Sequence, residues 1–84
     1  MQNLIVLETL LAIYRKSGAT TREIYDEVSR SPNAVSDAIK FLKKLGLIED
    51  KREEEFPRRR RLYPTEKGKR IGELLSEIEK ILSE

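Results

Sequence analysis

Apolar residues recur at three- and four-residue steps in four separate stretches of this 84-residue chain. Over residues 2–17, Leu4, Leu7, Leu11 and Tyr14 share one face, and Ile5, Leu10 and Ile13 widen it. That spacing predicts a buried helix stopped by Gly18. In "TTREIYDEV", Thr20 is followed three residues later by Glu23, a capping box in which each side chain satisfies an orphan backbone donor of the other residue. Ile24 and Val28 supply the apolar edge of this short second helix. Ser31 suits an N-cap, and Pro32 suits the first helical position, where its missing N–H would be unbonded in any case. The third helix is expected from Pro32 to Leu45, with Val35, Ala38, Ile39, Leu42 and Leu45 inward and Gly46 ending it. Its opposite face carries Asn33, Ser36, Asp37, Lys40, Lys43 and Lys44.

Helical periodicity then lapses in "LGLIEDKREEEFPRRRRLYP". Leu47 and Ile48 begin one strand, Leu62 lies in a second, and Pro57 marks the tip of a charged hairpin between them. Facing strands set Glu53 to Glu55 across from Arg58 to Arg61. Leu62 pointing inward leaves Arg59 and Arg61 outward beside Tyr63, because alternate strand residues share a face. Thr65 caps a last helix in which Ile71, Leu74, Leu75, Ile78, Ile81 and Leu82 recur. The expected architecture is a mainly α, α+β single domain over residues 1–84, ordered helix-helix-helix-strand-strand-helix. Its parts are a helix-turn-helix at 20–45, a hairpin at 47–63 and a final helix at 65–83.

Composition narrows the chemistry. Without cysteine or histidine, the chain lacks disulfides, the usual zinc ligands and the usual general base. Ser17, Ser29 and Ser76 have no evident base to activate them. The four glycines, at 18, 46, 68 and 72, sit at expected helix ends or inside the last helix and form no phosphate-cradling loop. No enzyme, cofactor or metal is expected. The run "LIVLETLLAIY" is interrupted by Glu8 and Thr9 and is too short to span a bilayer, so a cytoplasmic protein with no membrane partner is expected. Abundant Lys, Arg, Glu and Ile give it a thermophile-like composition. The net charge is +2, but residues 33–61 carry nine positive and six negative side chains, so the positive excess sits mid-chain.

Two short helices joined by a tight turn, with a polar outer face on the second, fit a helix-turn-helix, and the hairpin after it adds a wing. The segments "TTREIYDEVSRSPNAVSDAIKFLKKLGLIE" and "YPTEKGKR" resemble the winged-helix transcription regulators, most closely the MarR-like and related archaeal ones. The resemblance spans residues 20 to about 70. It implies a nucleoid-associated regulator of double-stranded DNA that dimerises through its terminal helices.

The third helix supports duplex reading on its own chemistry. A helix fits the major groove of B-DNA, and Asn33, Ser36, Asp37, Lys40 and Lys44 form one stripe along it, with Ala34 at its edge. Asn33 suits adenine, Ser36 either base pair, Lys40 guanine or phosphate, and Lys43 and Lys44 the backbone. Asp37 departs from the basic residue that the resemblance implies there. It can accept from cytosine N4, and it equally suits a protein partner. Thr20, Thr21, Arg22 and Ser31 lie where two helix N-termini offer backbone N–H groups to phosphates. Wing arginines Arg58, Arg59, Arg60 and Arg61 suit a phosphate or a minor groove, whose negative potential attracts them. Leu4, Leu7 and Leu11 with Ile71, Leu74, Leu75, Ile78, Ile81 and Leu82 exceed what one small domain can bury, which predicts a homodimer seam. The alternatives are a protein-binding winged-helix module or an architectural protein that binds DNA without sequence preference.

Overall fold

Helix α1 (Gln2–Arg15) buries Leu10 and Ile13 completely, whereas Leu4 and Leu7 stay exposed and Leu11 is half-buried. The inward face is therefore not the Leu4–Leu7–Leu11 line. This helix is apolar on most sides, so spacing alone does not choose which side meets the core. The structure, a computed structural model, describes residues 2–28 and 30–84, and Ser29 lies outside the described residues.

After α1 come β1 (Ala19–Thr20), α2 (Thr21–Val28), α3 (Pro32–Lys44), β2 (Ile48–Arg52), β3 (Arg60–Pro64) and α4 (Glu66–Leu82). The strands form an antiparallel sheet in the order β1-β3-β2. The expected hairpin is present, and β1 joins its β3 edge as a third strand that local pattern did not predict. Gly18, at φ +90°, makes the reversal into β1, and its N–H donates to the Leu62 carbonyl at 2.8 Å. Leu62 is fully buried at the centre of the sheet, under a core that includes Ile24, Val35 and Leu42.

On α3, Val35, Ala38, Ile39 and Leu42 face the core. Leu45 does not; it follows the helix at its C-cap and is 46% exposed. Gly46, at φ +74°, turns the chain towards β2. Ser31 occupies the N-cap position without a side-chain capping bond, and its backbone carbonyl accepts from Val35 N–H at 3.0 Å. Pro32 next to it carries no N–H to be capped.

At the other cap, the Thr65 hydroxyl accepts from Gly68 N–H at 3.1 Å and itself donates to the Gly46 carbonyl at 2.7 Å. The glycine of "TEKG" has a steric cause: a Cβ at position 68 would collide with the Leu47 backbone carbonyl. One turn on, Gly72 lies flat against the Tyr14 ring, where a Cβ would stand 2.5 Å from Cγ. Two glycines thus let α4 sit directly on the Leu47 backbone, just before β2, and on α1. Gly68→Ala is expected to destabilise the fold by about 2 kcal/mol, because the obstacle is backbone and cannot rotate away. In thermal unfolding that corresponds to a loss of roughly 10 °C; an unchanged midpoint would show that α4 does not need this approach. Among the described residues no helix is long and apolar enough to cross a membrane.

Candidate nucleic-acid interface

The helix-turn-helix starts from a fully formed capping box. Thr20 N–H donates to Glu23 Oε1 at 2.8 Å, and Glu23 N–H donates to Thr20 Oγ1 at 3.3 Å. The bonds that the Thr20 backbone N–H and then the Thr20 hydroxyl donate to the Glu23 carboxyl hold it below its ordinary range. The Thr20 hydroxyl also donates to the same carboxylate at 3.2 Å, and the residue is buried. Thr20 is therefore engaged internally and is not an open phosphate donor. Its neighbours Thr21 and Arg22 line an open cleft with Arg59 and Arg60, beside Glu23 and Asp26. The start of α2 and the arginine arm of the hairpin, far apart in sequence, thus form one rim.

Burial of four apolar side chains beneath α3 fixes its outer face. Asn33, Asp37, Lys40, Lys43 and Lys44 are exposed, and Ala34 and Ser36 are half-buried. The polar stripe faces solvent at Asn33, Asp37, Lys40 and Lys44, with Ser36 partly covered. Its C-terminal end is braced: Lys43 Nζ lies 3.2 Å from Asp50 Oδ1, and Arg60 Nε lies 3.0 Å from Asp50 Oδ2. Asp50, on β2, therefore couples α3 to β3. Its sequence signal is slight, namely a carboxylate two residues after Ile48 and so on the same strand face.

The hairpin charges pair differently from expectation. Arg52 opposes Arg60 in register, so the ladder ends at Glu53 and Arg59, and Glu54 and Glu55 fall in the turn. Glu53 alone of the three glutamates bridges the arms. Its Oε2 accepts from Arg61 Nε at 2.8 Å, and its Oε1 from Arg59 N–H at 3.1 Å. The Arg61 hydrogen bond, then that of the Arg59 backbone, lowers the Glu53 carboxyl below its usual range; reciprocally, Glu53 raises Arg61. Arg61 Nη1 also donates to the Gly18 carbonyl at 2.8 Å. Arg61 is thus half-buried and ties the wing to β1, which corrects the expectation of an outward, available guanidinium.

On α2, α3 and the hairpin, the exposed cations that no ion pair engages among the described residues are Arg22, Lys40, Lys44, Arg52, Arg58 and Arg59. Lys51 lies 5.5 Å from the Tyr63 ring centroid, within cation–π range. Two features were missed by the sequence reading. Phe56 is 94% exposed at the hairpin tip, and Phe41 is 47% exposed on the flank of α3. Phe56, between a run of glutamates and Pro57, carried the signal of a turn residue. Phe41 lies beside Leu42 in sequence, where periodicity could not separate a core residue from its neighbour.

With this geometry in place, a family model described as "F-93, winged-helix domain" matches residues 6–68. The chain belongs to that family. Among solved structures, F-93 of SSV1 is 30% identical; the match covers 94% of this chain and 90% of that one, with a TM-score of 0.81. A MarR family regulator from Neisseria meningitidis is 29% identical over 94% of this chain and 56% of its own, with a TM-score of 0.79. Streptococcus pneumoniae FabT, solved in complex with DNA, shares the fold at 24% identity and a TM-score of 0.82, over 93% of this chain and 55% of that one. This F-93 winged-helix chain therefore spans nearly all of the SSV1 protein and little more than half of the two longer chains. No curated protein matches its sequence.

Proposed function

We propose that this F-93 winged-helix protein is a non-enzymatic transcriptional regulator that binds double-stranded DNA as a homodimer. In this reading α3 lies in the major groove, and the wing reaches the backbone or the adjacent minor groove. The observation that carries it is the solvent-facing ridge of Asn33, Asp37, Lys40 and Lys44, with Arg22, Arg58 and Arg59 unpaired around it. Further support comes from the FabT complex, a DNA-bound protein of the same fold. Asn33 suits adenine by its paired donor and acceptor, and Lys40 suits guanine or phosphate.

The dimer half of the proposal rests on apolar surface. An open groove lined by Val6, Leu7, Phe41, Leu45 and Ile71 runs between α1, α3 and α4. Leu74, Ile78, Ile81 and Leu82 continue the exposure along α4. A twofold axis through this region would set two α3 helices about one turn of DNA apart, roughly 34 Å, and favour pseudo-palindromic sites. Asp37 and the mixed charge of the wing favour the second reading, a protein-binding module.

Duplexes selected from a random pool distinguish the two. Lys40→Ala is expected to weaken binding about tenfold on every sequence, and Asn33→Ala to weaken it similarly while flattening the preference at one base pair per half-site. Unchanged affinity in both variants would remove α3 from the groove, and absence of any duplex binding would favour the protein-binding module.

A further inference from the structure

We infer that Phe56 is a wedge: it enters the minor groove of bound DNA from the tip of the wing and bends the duplex. The inference rests on the DNA-binding reading above and adds to it a residue outside the charged set. Phe56 is 94% exposed. A single exposed apolar side chain is ordinary on a protein surface; the position and mounting of this one are not.

The tip is held from both sides. The Glu55 carbonyl accepts from Arg58 N–H at 2.8 Å, closing a four-residue turn around Phe56 and Pro57 with a cis peptide between them. Below the turn, Glu53 fastens Arg61, which fastens Gly18, and Asp50 fastens Arg60 and Lys43. The ring is thus presented on a braced ribbon whose base is attached to the end of α3.

Reach and charge agree with a minor-groove position. From Asp50, beside α3, the paired strand runs on to Glu53 at roughly 3.3 Å per residue. The turn then carries Phe56 to a distance of the order of 15 Å. Half of a 34 Å helical turn separates a major groove from the neighbouring minor groove, about the same length. Glu53 is paired with Arg61, while Arg58 and Arg59 stand unpaired and hold the tip near phosphate without entering a base step. An apolar contact supplies what charge does not. Phenylalanine inserted at a base step from the minor-groove side unstacks it and kinks the duplex towards the major groove.

The test uses the full chain and a duplex of about 30 base pairs, selected by the wild-type protein from a random pool and carrying donor and acceptor dyes at its ends. The wild type is expected to shorten the end-to-end distance on binding. Phe56→Ala, whose thermal midpoint should match the wild type because the side chain touches no core, is expected to bind about tenfold more weakly. It should also release a bend of at least roughly 20°. Phe56→Leu, still an apolar wedge, should recover most of both. Wild-type binding that leaves the duplex straight overturns the inference. So does Phe56→Ala with unchanged affinity and bend, which would leave the ring to a protein partner. Either result, together with sensitivity to Lys40→Ala, removes the wedge alone; failure of the wild type to bind any duplex removes the DNA-binding reading as well.

Discussion

Replacing Leu74 and Ile78 together by glutamate is expected to turn a dimer into a monomer in sedimentation, raising the dissociation constant by about a thousandfold or more. Leu74 is 59% and Ile78 52% exposed in the isolated chain, and Ile81 and Leu82 are more exposed still. Their i, i+4, i+7, i+8 spacing puts them on one side of the outer half of α4, past the two glycines that hold its first half on the domain. Nothing in the chain covers that side among the described residues. Two copies packed along it would bury the stripe, and each variant copy would bring two carboxylates to the seam. An unpaired charge taken out of water costs several kcal/mol, more than enough for the stated shift. The variant should keep the wild-type circular dichroism spectrum, because neither side chain serves the core. A dimer of unchanged affinity would place the seam elsewhere.

What could be read from the sequence was whatever is decided within a few residues. The Thr20–Glu23 capping box and the Thr65 cap appear as expected, because both partners lie three residues apart. So does the buried row of Val35, Ala38, Ile39 and Leu42, since a helix polar on its other side has only one face to turn inward. Helix α1 lacked that contrast, so spacing grouped Leu10 and Ile13, which are buried, with Leu4 and Leu7, which are exposed. Strand β1 is two residues long and exists only because Ala19 and Thr20 meet Leu62 and Arg61, more than 40 residues away; no local pattern announces it.

The site shows the same division. The outward stripe of α3 follows from helical spacing, and the structure exposes it as expected. The division of labour among the arginines does not follow from spacing, because it depends on hairpin register. One pairing, Arg52 opposite Arg60, sends Glu54 and Glu55 into the turn and gives Asp50 to Arg60. It also commits Arg61 to Glu53 and to the backbone of Gly18. Four consecutive arginines that look alike in sequence thus separate into two braces, Arg60 and Arg61, and two exposed cations, Arg58 and Arg59.

That separation sets the second large effect. Duplex binding by the wild type is expected to weaken about a thousandfold between 50 and 200 mM salt. The unpaired cations on this side are Arg22, Lys40, Lys44, Arg52, Arg58 and Arg59, whereas Lys43, Arg60 and Arg61 are held by carboxylates. If about half of the former meet phosphates in each protomer, a dimer makes roughly six contacts, and log K falls with log salt at a slope near −5. Fluorescence anisotropy of a labelled duplex, titrated with the full chain at both salt concentrations, measures this directly. Tight binding at low salt with a slope near −5 is the predicted result; no binding at 50 mM, or binding indifferent to salt, would contradict the assignment of α3 and the wing to DNA.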